Sequence, residues 1–139
     1  MAATALETAL AALVATLDGA VAAEVIRNAT RPEDVPAAGL VVVRDGAQQD
    51  AEATMSPLRY HIDHGAEVVI HAPDEDTRDA LLKALSDALV ADRTLGGAVE
   101  FLEVGVVGLD DADFDGSAGV PGALMPVVLS YTTLGSPAG

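Results

Sequence analysis

Residues 58–95 constrain the fold more than any other stretch. They begin LRYHIDHGAEVVIHA, a long run of strand character, pass through the turn Pro73-Asp74-Glu75-Asp76, and continue as TRDALLKALSDALVAD. In the second half Ala80, Leu81, Ala84, Leu85, Ala88 and Leu89 recur at spacings of three and four. That stripe occupies one face of a helix and has to lie against something. A sheet containing the preceding strand is the partner within reach. In that strand Tyr60, Ile62, Val68 and Ile70 alternate with Arg59, His61, Asp63, Glu67, Val69 and His71, which predicts one buried and one wetter face. Gly65 interrupts the run and predicts a bulge or bend.

The flanking segments extend this unit. A helix is expected over 3–17, with Leu6, Leu10, Leu13, Val14 and Leu17 on one face and Asp18-Gly19 as its stop. A short strand follows over 24–28, then a loop over 30–38 that Pro32 and Pro36 keep irregular. A second strand over 39–44 ends at Asp45-Gly46, and the polar segment 47–56 reads as a loop or a widened hairpin tip. Beyond the second helix, Leu95-Gly96-Gly97 closes its C-terminal side. AVEFLEVGVVGL is a fourth strand, and ALMPVVLSYTTL is a fifth in which Pro126 predicts an edge or a bulge. The tail 135–139 is expected to fray. The order α-β-β-β-α-β-β, with strands in runs joined by hairpin-length loops, predicts an α+β fold. A mainly antiparallel five-stranded sheet is packed by two helices, all in one domain over 1–139.

Composition narrows the function. Twenty-two acidic against seven basic residues give a formal charge of −15, and the single Lys and six Arg are scattered. Binding to nucleic acid needs cations that displace counterions from phosphate, so a DNA-binding role is disfavoured. The absence of Cys removes disulfides, thiolate nucleophiles and zinc-thiolate sites. No segment reaches the roughly 18 uninterrupted apolar residues of a membrane span. The Ala-rich N-terminal segment has no basic region, so no secretory signal is expected. Half of the residues are apolar, but they are mostly Ala, Val and Leu, with two Phe, two Tyr and no Trp. Such a core buries little area per residue, which points to support from neighbouring subunits.

Few residues carry a chemical signature. Asp111-Ala112-Asp113-Phe114-Asp115-Gly116 imitates the start of a calcium loop, but its twelfth position is Gly122 where a bidentate Glu is needed. It reads as a solvated acidic turn. His61, Asp63, His64 and His71 have the chemistry for zinc or iron, yet on a strand His61 and Asp63 face one way and His64 the other. Ser56, Ser86, Ser117, Ser130 and Ser136 lie in no nucleophile-elbow context. Gly105 and Gly108 sit in an apolar run with no helix behind them, so they form no phosphate loop. Pairs such as Glu100 with Glu103 are uninformative in so acidic a chain. No catalytic residue and no cofactor is expected. Arg27 and Arg59 stand alone in apolar strand sequence, where a cation is retained because it is paired, either within the chain or as a subunit-interface anchor.

The chain resembles the tail terminator, or tail-to-head joining, proteins of long-tailed phages and prophages. The resemblance covers most of the length. It rests on the N-terminal helix, RPEDVPAAG before GLVVVRDG, LRYHIDHGAEVVIHA, DALLKALSDALVAD with RTLGG behind it, and PVVLSYTTLG. It implies a non-enzymatic virion protein, assembled in the host cytoplasm, that forms a homo-oligomeric ring, typically a hexamer, at the head-proximal end of the tail. The ring would sit on the tail tube protein, end tube polymerisation and meet the neck or head-completion protein. DNA would be passing cargo, and an acidic lumen would repel its phosphates. The alternatives are another neck or tail-completion ring protein, or a small α+β ligand- or metal-binding domain.

Overall fold

The computed structural model describes residues 4–28, 37–55, 58–111 and 121–134. The proline-rich loop over 30–36, the acidic turn past Asp111, the tail and Ser56, Ser117 and Ser136 lie outside them. The fold is α+β. Helix α1 (Ala5–Ala20) precedes strands β1 (Glu24–Arg27), β2 (Leu40–Thr54) and β3 (Arg59–His71). Helix α2 (Glu75–Ala91) follows, then a 3-10 turn (Leu95–Gly97) and strands β4 (Phe101–Val104), β5 (Gly108–Asp111) and β6 (Pro121–Leu134). Local chemistry starts both helices: Thr4 accepts from Glu7 N at 3.1 Å, and Asp74 accepts from Thr77 N at 2.7 Å. Helix α1 runs through Asp18-Gly19 and ends at Val21, whose backbone is extended.

The sheet is mixed and six-stranded among the described residues. Its order is β1-β2-β3-β6-β4, with β5 also against β6. Two expectations are corrected here. First, β1 pairs parallel with β2, so the link between them is a crossover returning to the same end of the sheet, where a hairpin was expected. Second, the expected fourth strand is two strands. Gly105 donates to the Pro126 carbonyl at 2.8 Å, and there the pairing of β4 with β6 stops. Pro126 has no N–H to continue the ladder, and a Cβ on Gly105 would stand 3.3 Å from its ring. Pairing resumes in β5.

The polar segment expected as a loop is the second half of β2, which pairs with β3 as far as Thr54 opposite Arg59. Two register shifts in β2 absorb it, between Arg44 and Ala47 and between Gln48 and Asp50. The bulge expected at Gly65 is therefore on the facing strand, while β3 keeps one register with β6 over its whole length. Gly46 enters the bulge at φ +66°, and a Cβ there would lie 1.8 Å from the Gly65 carbonyl oxygen. The two glycines mark a backbone contact between strands.

One face of the sheet carries both helices. Leu10, Leu13 and Leu17 of α1 and Leu81, Leu85 and Leu89 of α2 pack on Val41 and Val43, on Val68 and Ile70, and on Met125, Val127 and Leu129. The leucines of the α2 stripe are buried as the helix spacing predicts, but within it Ala80 is exposed and Ala84 and Ala88 are half-buried. The cluster packed by the helices reaches Ala66 in β3 and Leu129 in β6, and beyond it Ile62, His64, Tyr131 and Thr133 are buried on the same face. The opposite face is partly covered: Leu40, Val42 and His71 are buried, Val69 and Val128 are half-buried, and Phe101 is 47% exposed.

Candidate interaction surface

The strand that carries the histidines splits them as its alternation requires. His64, 4% exposed, faces the helix side, and its Nε2 contacts the carbonyl oxygen of Asp45 in the bulge. A carbonyl can only accept, so Nε2 carries the proton. His61 and Asp63 lie on the other face, and His71 is buried at the far end of the strand. Among the described residues no group of three His, Asp or Glu side chains is placed to hold a metal ion.

What the register assembles on the open face is a polar row. His61 is opposite Thr132, Asp63 is opposite Ser130, and Ser130 is opposite Phe101 of β4. Ser130 Oγ donates to Asp63 at 2.6 Å, and the Thr132 hydroxyl donates to Glu100. Having given its one proton to Glu100, that hydroxyl accepts from His61 Nδ1 at 2.9 Å. Sequence reading missed Thr132 because its role exists only through pairing of β3 with β6.

The two singled-out arginines have different places. The Arg27 guanidinium holds Glu7 with 2.7 and 2.8 Å bonds and Asp45 with 2.7 and 3.1 Å bonds, tying the start of α1 to β1 and to the bulge in β2. These hydrogen bonds, the Glu7 bond foremost, raise the pKa of Arg27, and they hold the carboxyls of Glu7 and Asp45 below their ordinary values. Arg59 is exposed at the outer end of β3, opposite Leu134, and makes no ion pair among the described residues. Beside it lie Leu134, 69% exposed, Met55, 78% exposed, and Leu58. The outer end of the sheet is thus an apolar tip with one cation that has no ion pair among the described residues.

A shallow depression of about 430 Å³ lies between the end of α1 and the start of α2, lined largely by alanines with Asp76 and Thr77. It lacks the convergent polar groups of a ligand site. No helix of the described residues is long and apolar enough to cross a membrane. Neither a known protein family nor any curated protein matches this sequence.

Proposed function

We propose that the chain is a structural virion protein of a long-tailed phage or prophage. In this reading it is a tail terminator whose ring, of about six copies, caps the tail tube, ends tube polymerisation and joins the tail to the head-neck complex. The observation that supports this reading best is the outer end of the β2-β3-β6 sheet, where Met55 and Leu134 are exposed. An acidic protomer presents there an apolar tip and Arg59, which has no ion pair among the described residues, the features of a surface made to meet other subunits. Copies carrying −15 each would give the ring an acidic bore that DNA passes without sticking.

The test is the mass of the purified protein by light scattering, alone and with its tail-tube protein. A ring, or a monomer that becomes a ring on the tube, supports the reading. A monomer or dimer indifferent to the tube overturns it. Arg59→Glu is expected to weaken subunit association by about tenfold, the effect of reversing one charge at a partly desolvated contact; an unchanged oligomer removes Arg59 from the interface. The chain of bonds from His61 through Thr132 to Glu100 favours a second reading, a small ligand- or metal-binding domain. Stoichiometric metal in the purified protein would favour it.

A further inference from the structure

The tip at the outer end of the sheet has a counterpart at the opposite end of the same molecule. At the outer end Met55 follows β2, Leu58 precedes β3, Arg59 opens β3 and Leu134 closes β6, with Arg59 opposite both Thr54 and Leu134. The three apolar side chains are exposed. The alanine-lined depression lies at the other end, where Leu40 is opposite His71. Ala38 leads into β2 there, and the Leu81 side chain and the His71 carbonyl leave no room for a Cβ on Gly39. The 13 residues of β3, about 40 Å of strand, separate the two surfaces.

Their chemistry is complementary. The tip carries large apolar side chains and one cation. The depression, about 430 Å³, is lined by methyl groups, which leave room for larger apolar side chains, and by one carboxylate, Asp76. Asp76 is exposed in the first turn of α2 and makes no ion pair among the described residues. Cations able to meet it are few. Arg27, Arg78 and Lys83 are held by carboxylates of their own chain. Arg93 donates to the Leu102 carbonyl and lies over the Phe101 ring, and Arg44 is opposite Glu67 within the sheet. Among the described basic residues that leaves Arg59, the one set beside exposed apolar side chains.

We propose that the tip of one copy seats in the depression of a second copy, with Met55 and Leu134 against the alanines and Arg59 against Asp76. The inference rests on the ring reading above and deepens it by naming both halves of the subunit contact. A second copy is the occupant because one chain carries both the apolar tip with its cation and the apolar depression with its carboxylate. The two surfaces lie at opposite ends, so a two-fold pair cannot satisfy both by a single shared patch. Each added copy offers a fresh tip and a fresh depression. Such head-to-tail assembly stops growing only when it closes on itself.

Charge exchange tests the contact. Arg59→Glu sets a like charge against Asp76, and Asp76→Arg sets one against Arg59. Association is followed by light scattering up to about 1 mM protein, with thermal melting as the check on folding. The expected result is an assembling wild-type chain and at least about tenfold weaker association for each single variant. The double variant, Arg59→Glu with Asp76→Arg, pairs opposite charges again and is expected to assemble nearly as the wild type does. Ala80→Lys tests the depression itself: its long side chain occupies the space and its ammonium engages Asp76 one helical turn away, so the same loss is expected from a well-folded helix. Should Asp76→Arg fail to fold, because it puts a cation at a helix N-terminus, Arg59→Glu and Ala80→Lys decide the question. Single variants that assemble like the wild type, or a double variant as weak as the singles, overturn the proposal and leave the ring reading standing. A wild-type chain that stays monomeric at about 1 mM, or stops at a dimer, also overturns it, while the tube experiment decides the ring separately.

Discussion

Acid should unfold this protein partly through one histidine. His71 is 2% exposed at the end of β3, and burial, aided by the nearby positive charge of Arg44, lowers its pKa from 6.5 to about 4. The imidazole is therefore neutral in the fold at pH values where it is charged in the unfolded chain. Above pH 6.5 both states are neutral and the residue adds no pH dependence. As pH falls below 6.5 the unfolded chain takes up the proton first, stability drops, and the loss is complete near pH 4. Between pH 7 and pH 5 the loss is about 2 kcal/mol, from the two pKa values and about 1.4 kcal/mol per unit.

Urea unfolding at pH 7 and pH 5, for the wild type and for His71→Leu at one protein concentration, measures it. The depressed carboxylates of Glu7, Asp45 and Asp74 lose their contribution at lower pH, and they are present in both chains. Subtracting the two pH slopes isolates His71. The variant should lose about 2 kcal/mol less than the wild type over this interval. Equal slopes would refute the argument, because they would mean that the imidazole takes up its proton as readily in the folded chain as in the unfolded one.

Two further perturbations test how the sheet is pinned. Gly46→Ala should cost more than about 2 kcal/mol, since it pairs a φ of +66° with a Cβ 1.8 Å from the Gly65 carbonyl oxygen, and a thermal melt reads it. A variant as stable as the wild type would mean that the bulge is not where Gly46 puts it. Arg27→Gln should cost about 1 kcal/mol, modest because the guanidinium and Asp45 are both partly exposed, and hydrogen exchange should quicken first in the opening turn of α1, where Glu7 is released. Quickening at the far end of the helix instead would contradict that anchoring.

The parts of the fold legible in the sequence were those written as a period. Leu81, Leu85 and Leu89 are buried where the helical spacing puts them, and Ile62, Val68 and Ile70 face the interior as the alternation requires. What the sequence concealed depends on a second strand. AQQDAEAT has no alternation of its own and forms a strand because β3 lies beside it. The break between β4 and β5 is caused by Pro126, a residue more than 15 positions away on the strand they both join. The parallel pairing of β1 is invisible because a crossover of this length looks like a long hairpin loop. The same limit hid the row from His61 to Glu100, whose members come from β3, from β6 and from the residue just before β4. Two polar positions facing each other were the available signal, and only a correct register would have exposed it.

Charge and exposed apolar side chains together determine where copies of such a chain can meet. At physiological salt the field of an exposed charge fades over about 8 Å, so a net charge of −15 does not keep two copies apart; carboxylates brought close together do. A contact is then favoured where acids are absent or already engaged. Strand β6 over 130–134 has no carboxylate of its own, and Glu100, which lies on its outer side, accepts the Thr132 hydroxyl. The tip adds apolar area and Arg59. Elsewhere the described edges carry Glu24, Glu52 and Glu103, and pressing any of them against another acidic copy would cost desolvation without a cation to offset it. The acidic surface of the described residues thus acts as a filter on contacts between copies, disfavouring any that would desolvate these carboxylates.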